Sequence, residues 1–165
     1  MLKLIIGNKN YSSWSLRPWF LLRQAGIDFE EILIPLYQGE YKQQLLRHSP
    51  SGKVPCLLDG EITVWDSLAI AEYLAERFPA LNLWPQDVAQ RAEARAISAE
   101  MHAGFAALRS HFGMNLRYRH PCGMSDLSER MGITLAAASQ LVDKLVQSGL
   151  VERSEDPNDR RAKLL

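Results

Sequence analysis

Cysteine is scarce: the 165 residues contain two, Cys56 and Cys122, far apart in the chain. That spacing excludes a C-x-x-C redox or zinc pair and a disulfide framework. The two thiols therefore read as reduced, Cys56 as a small buried hydrophobe, and the setting as cytoplasmic. The four histidines show no ligand spacing with cysteines or carboxylates, so no metal site is expected. Net charge is also lacking, with 19 Lys+Arg against 19 Asp+Glu. No global field draws the chain to nucleic acid or to a membrane. Division at Pro121 uncovers no basic half either, with thirteen basic against twelve acidic residues before it and six against seven from it onward. Long apolar runs are missing as well. "MLKLIIGNKN" is too short for a signal peptide, and no stretch reaches the length of a membrane span, so no membrane partner is expected. What remains is ordinary for a globular chain, 47% hydrophobic and 23% charged, of a length that suits one domain or two small ones.

Within that composition the apolar pattern is informative. "LKLII" reads as a buried strand and "GNKNYSSWS" as a polar loop. "SLRPWFLLRQAGI" reads as a helix beginning near Ser15, because Pro18 fits best in a first turn, with Leu16, Phe20 and Leu21 facing inward. "FEEILI" alternates as a second strand, and "EYKQQLLRH" suits a short helix. "VPCLLDGEITVW" is a hairpin turning at Asp59-Gly60. "DSLAIAEYLAERF" is an amphipathic helix with Leu68, Ala71 and Leu74 inward, stopped at Pro79. The order β-α-β-α-β-β-α is that of a thioredoxin-like α/β domain. Residues 87–112, Ala-rich and free of proline, read as one long helix. Beyond "RYRHPCGM" a short helix capped by Ser125, a tight turn at Gly132 and a longer helix from Thr134 to Gly149 form a helix-turn-helix pattern. A charged hairpin, "SGLVERSEDPNDRRAKLL", follows it.

Three features of the front half converge on one chemistry. "YSSWSLRP" sets Ser12, Ser13 and Ser15 at the start of a helix, where unpaired N–H groups and the positive end of the dipole favour anions. A free thiol has a pKa of about 8.5, and lowering it by two units takes roughly 2.7 kcal/mol of preference for the thiolate. One charge-assisted hydrogen bond, worth about 1.5–3 kcal/mol, supplies most of that. "KVPCLL" places Pro55 at the start of a strand, leaving the backbone of Val54 available to an extended peptide. "WDSLAIAEYL" places Asp66 and Ser67 at a second helix start, suited to an ammonium and a carboxylate. A thiol, a peptide backbone, a carboxylate and an ammonium together describe glutathione.

These segments, "NKNYSSWSLRPW", "SPSGKVPCLLDG" and "VWDSLAIAEYLAERFP", resemble the N-terminal domain of bacterial glutathione S-transferases, near the serine-type classes that include maleylacetoacetate isomerase. The resemblance extends through the long helix to about residue 120. It implies glutathione as substrate, without metal, and a small electrophile as its partner; a homodimer is left open. By position it implies Ser13 as the hydroxyl that stabilises the thiolate, with Ser12 the nearest rival and Ser15 behind both. Lys53 and Val54 would contact the peptide, Pro55 would be a cis proline, and Asp66 and Ser67 would hold the γ-glutamyl end. Trp14 stands where the isomerase-like class carries a cysteine, which points to conjugation or binding rather than isomerisation. Only the first helix of that family's second domain has a counterpart, so the wall for the electrophile is expected to be short.

The back half, from "MSDLSERMGITLAAASQLVDKLV" through the wing pattern "GLVERSEDPNDRRAK", resembles the winged helix-turn-helix of MarR-family transcriptional regulators. That resemblance implies DNA as partner. Thr134, Ala136, Ser139 and Gln140 would face bases or phosphates, Lys144 would reach the backbone, and Arg160 or Arg161 would enter the minor groove. A lone module offers mainly phosphate contacts, with Kd on the order of 10⁻⁴ to 10⁻⁶ M. The expected organisation is a thioredoxin-like glutathione-binding domain over residues 1–80, a linker and long helix over 81–120, and a small helical, winged-helix-like segment over 121–165. An apparent chimera of this kind has three open origins: natural fusion, engineered joining or misassembled sequence. Glutathione transferase-like chemistry is the first functional expectation. A DNA-binding regulator fragment, or a chimera retaining neither full activity, is the alternative.

Overall fold

The computed structural model describes residues 1–111, 113–117, 124–147, 154–155 and 163–164. They form two compact units, Met1–Gly104 and Phe105–Leu165. The long-helix segment expected over residues 81–120 is shared between them.

In the first unit, strand β1 (Leu2–Ile6) lies at the centre of a four-stranded sheet. It runs parallel to β2 (Phe29–Leu33) and antiparallel to β3 (Cys56–Asp59), which pairs in turn with β4 (Ile62–Trp65). Four of its five residues, Leu2, Leu4, Ile5 and Ile6, are buried. Successive side chains of a strand point to opposite faces, so β1 feeds two cores at once. Leu2, Leu4 and Ile6 pack with Leu22 of α1 (Ser13–Gln24) and with Ile70 and Leu74 of α3 (Ser67–Arg77). Ile5 joins Ile34, Cys56 and Leu45 of α2 (Tyr41–Leu46) on the other face. The order β1-α1-β2-α2-β3-β4-α3 is thioredoxin-like, as the sequence pattern indicates.

Several local boundaries differ from expectation. Helix α1 begins at Ser13, with Ser12 as its N-cap, rather than near Ser15. The serine cap sets the start and Pro18 is accommodated inside the helix, buried in the core. The inward face is accordingly Ser15, Pro18 and Leu22, and Phe20 is 54% exposed. In α3 the buried face is Ser67, Ile70 and Leu74. The hairpin turns on Gly60-Glu61, with Asp59 still paired to Ile62 as the last strand residue.

The expected long helix is broken. Helix α4 (Val88–Ala103), capped by Asp87, stops at Gly104, and Phe105 has φ +58° before α5 (Ala106–His111) begins. A Cβ on Gly104 would lie 2.8 Å from the carbonyl oxygen of Glu100, so this stop accepts glycine only. Alanine content predicts helix through this point because propensity does not register a close backbone approach.

The second unit contains α5, α6 (Met124–Met131) and α7 (Leu135–Gln147). Helix α6 starts at Met124, so Ser125 is inside it rather than its cap. Gly132, at φ +63°, ends α6 in a left-handed conformation that glycine adopts at no steric cost. Thr134 caps α7, its Oγ1 accepting from the amide of Ala137 at 3.2 Å. Ala138 and Val142 are the buried face of α7. Within the expected charged hairpin, strands β5 (Ser154–Glu155) and β6 (Lys163–Leu164) pair antiparallel. Its tip, with Arg160 and Arg161, and the expected helix stop Gly149 lie outside the described residues, as does Cys122.

Candidate active site

The first turn of α1 sorts its three serines by role. Ser15 is 3% exposed, and its hydroxyl accepts from the amide of Gly7 at 3.0 Å. Ser12 donates to Ser15 Oγ at 2.8 Å and accepts weakly from the Ser15 amide at 3.4 Å. Both hydroxyls are therefore spent on fixing the β1–α1 connection. Ser13, the first residue of the helix, lies on the wall of a cavity of about 760 Å³. Among the described residues none is a hydrogen-bond partner of its hydroxyl. Asn8 Oδ1 accepts from the amide of Leu36 at 2.9 Å, tying this connection to the segment after β2. The lining also includes Leu36, Tyr37 and Tyr41, the two tyrosine rings 5.5 Å apart.

A second cavity of about 520 Å³ adjoins the first, sharing Trp14, Lys53 and Val54 with it. The Val54-Pro55 bond is cis. Val54 lies ahead of the β3 ladder, whose register begins at Cys56, so its backbone is outside the sheet pairing. The Lys53 amide donates to Ser51 Oγ at 3.3 Å, and the Lys53 side chain is exposed. Cys56 is buried, and burial, only partly offset by a hydrogen bond with Ser49, pushes its thiol pKa up. It is a core residue and not a nucleophile.

The far end of this second cavity is built on a strained residue. Asp66 has φ +78° and ψ 134°, a region that non-glycine residues occupy at a cost of about 1–3 kcal/mol. Its carboxylate offsets that cost by capping α3, with Oδ1 accepting from the amides of Leu68 at 2.9 Å and Ala69 at 3.4 Å. The other oxygen, Oδ2, lies 3.2 Å from His102 Nε2 on α4. Ser67 is 4% exposed, and its Oγ, buried in the cavity wall, has no hydrogen-bond partner among the described residues. A capped helix start, a carboxylate and an orphaned hydroxyl together suit a zwitterionic group.

All seven front-half candidates thus line two adjoining cavities: Ser12, Ser13, Lys53 and Val54 the first, and Lys53, Val54, Pro55, Asp66 and Ser67 the second. His102 was not among them. The sequence shows it only as one of two histidines nine apart, and nothing in its spacing ties it to Asp66; the fold of α4 over α3 does. Among the described residues no group of three His, Cys, Asp or Glu side chains is placed to hold a metal ion. No helix among them is long and apolar enough to cross a membrane.

On α7, Ala136, Gln140 and Lys144 are exposed at four-residue spacing, so they share a face roughly opposite Ala138 and Val142. Thr134 is exposed at the helix start and Ser139 is half-buried. The helical candidates are therefore gathered on and beside one solvent face. Arg160 and Arg161 lie outside the described residues.

The first unit is thus a thioredoxin-like domain with a hydroxyl-bearing helix start opening on a peptide-sized groove. Residues 11–77 match the family model described as "Glutathione S-transferase, N-terminal domain", and residues 114–163 match that described as "MarR family". Glutathione S-transferase 1 of Dianthus caryophyllus is 40% identical over 91 residues, 54% of this chain and 41% of its own length. Maleylacetoacetate isomerase of Mus musculus is 31% identical over 140 residues, 83% of this chain and 62% of its own. A glutathione transferase homolog from Burkholderia, solved with bound glutathione, is 31% identical, covering 65% of this chain and 56% of that one with a TM-score of 0.57. The chain thus spans less than two thirds of each of these curated relatives.

Proposed function

We propose that the protein binds glutathione in the groove of its first unit and activates the thiol through Ser13 for attack on a small electrophile. The observation that carries this reading is the division of labour among the serines. Ser12 and Ser15 are committed to each other and to Gly7, whereas Ser13 faces the cavity from the first turn of α1. A hydroxyl donating to sulfur there, aided by the positive helix end, favours thiolate over thiol. The Val54 backbone would pair with the cysteinyl residue. Lys53 would reach the glycyl carboxylate, and Asp66 and Ser67 would hold the γ-glutamyl ammonium and carboxylate. The relatives' names and the glutathione bound to the Burkholderia homolog support the same ligand.

In the reaction the thiol proton leaves to solvent, sulfur forms a bond to the electrophilic carbon, and a leaving group such as halide departs with its electron pair. Leu36, Tyr37, Tyr41 and Trp14 offer the electrophile an apolar, aromatic wall. The groups involved sit on one chain, so the chemistry is the same for a monomer or a homodimer. Cysteine usage favours a cytoplasmic setting. The test is conjugation of glutathione to a chlorodinitrobenzene, comparing wild type with Ser13→Ala. Loss of one charge-assisted hydrogen bond predicts a fall in kcat/KM of about 10- to 100-fold; equal rates for the two proteins would remove Ser13 from the chemistry.

A second reading, weak DNA binding by the second unit, is favoured by one observation: the helix pair turning at Gly132 leaves Ala136, Gln140 and Lys144 on a solvent face. It is tested by duplex-DNA retention across a salt series with wild type, Lys144→Ala and an Arg160→Ala/Arg161→Ala double variant. No retention even at low salt eliminates it.

A further inference from the structure

Residues 11–77 contain every glutathione contact proposed above; His102, on helix α4, lies outside them and lines the second cavity. We propose that His102, on α4, is a positioning residue that makes the site selective for ligands ending in a free α-ammonium group. The inference rests on the glutathione reading and deepens it.

Three observations meet at this side chain. First, His102 Nε2 lies 3.2 Å from Asp66 Oδ2. The opposite oxygen, Oδ1, accepts from the amides of Leu68 and Ala69. The carboxylate is thus held from both sides, by α3 and by α4, and its plane is fixed. A carboxylate oxygen has two acceptor directions, so Oδ2 keeps one for a ligand while His102 occupies the other. Second, the His102 ring stands edge-on to Trp14, with centroids 5.1 Å apart and planes at 70°. Trp14 follows Ser13 directly in the chain, and the Arg17 guanidinium lies 4.1 Å from the centroid of its ring. The imidazole therefore touches both Asp66 and Trp14. Third, two polar atoms of this cavity wall, Ser67 Oγ and His102 Nδ1, are buried and have no partner among the described residues. Buried polar groups in native folds are nearly always satisfied, and a ligand terminus carrying both donors and acceptors is the chemistry that answers such a wall.

The brace acts on a residue whose backbone is in a strained conformation, at φ +78°. Without His102, the side chain keeps its cap to α3 but loses the contact that directs Oδ2 into the groove. Binding of the ammonium then weakens while the peptide and thiol contacts, which lie on other elements, remain.

The experiment compares glutathione with its des-amino analogue, the glutaryl amide of Cys-Gly, by titration calorimetry on the full chain. Wild type is expected to prefer glutathione by about tenfold, the scale of one charge-assisted hydrogen bond. His102→Phe keeps the ring contact with Trp14 but removes the donor. It should bind the analogue as wild type does and prefer glutathione by no more than about twofold. His102→Gln restores a donor and should restore most of the preference. Equal weakening of both ligands by His102→Phe, with no recovery in His102→Gln, would make the residue merely structural and overturn the proposal. Tighter glutathione binding by His102→Phe also overturns it, because His102 would then be a competitor for Asp66. If wild type binds glutathione yet does not discriminate against the analogue, only the His102 assignment fails. If wild type binds neither, the glutathione reading itself fails.

Discussion

At the scale of the residue, the protein separates holding from acting. Ser12 and Ser15 fix the start of α1, and Ser13 is left to face the cavity. Ser15→Ala leaves the buried amide of Gly7 without its acceptor, which costs about 1–3 kcal/mol. A drop of several degrees in Tm is expected by calorimetry, whereas Ser13→Ala should leave Tm within about a degree and lose conjugation instead. Asp66→Asn makes a similar separation. The amide oxygen can still cap α3, so stability changes little, but the charge that attracts an ammonium is gone and glutathione affinity should fall about tenfold in a calorimetric titration. The sequence made the three serines and the Asp66-Ser67 pair legible because hydroxyls and carboxylates before apolar periodicity mark helix starts. It did not rank the serines, since that depends on which hydroxyl turns into the loop. Nor did it reveal His102, whose relation to Asp66 exists only once α4 packs beside α3.

At the scale of the element, the sheet and the helices are tied by a few charged clusters. Glu31 on β2 accepts from Trp19 Nε1 at 2.8 Å and Arg23 at 3.0 Å, both on α1, and from Lys9. Burial alone would raise its pKa, but the hydrogen bonds from Lys9, Trp19 and Arg23 outweigh burial and hold the carboxyl at about 2, against an ordinary 4.5. A carboxyl whose folded pKa is depressed stabilises the fold above its unfolded pKa and ceases to do so as pH falls toward the folded value. Stability from this contact is thus full at neutral pH and is lost between about 4.5 and about 2. Glu31→Gln should flatten the acid limb of a Tm-against-pH profile in that window while lowering Tm at neutral pH. Element order in the first unit was readable because each segment keeps one period throughout, two in the strands and near 3.6 in the helices. Element boundaries were less so. Helix α1 starts earlier than Pro18 suggests because its cap outweighs the proline, and the helix expected over residues 87–112 breaks where Gly104 comes up against the Glu100 carbonyl. In the second unit, Thr134→Ala should cost about 0.5–2 kcal/mol by removing the cap of α7, read as lost helicity on mild heating.

At the scale of the whole molecule, two compact units carry two different family resemblances, and among the described residues those lining the groove proposed for glutathione belong to the first. The presence of both patterns in one chain was legible in the sequence, because the wing pattern and the serine-rich helix start are each specific and lie far apart. The division at Gly104–Phe105 was not, since the alanine-rich run before it gives no sign of a stop other than the glycine itself. An origin by joining accounts for the two patterns, but function follows from the site, and the site proposed here needs only residues 8–102. The most direct test of that claim is the thiol pKa of bound glutathione, read from thiolate ultraviolet absorbance over a pH titration with wild type and Ser13→Ala. The account predicts a bound thiol about two units below its free value of roughly 8.5 in wild type, with most of that shift gone in Ser13→Ala. A bound thiol that titrates as free glutathione does in wild type, or one shifted equally in both proteins, would contradict it.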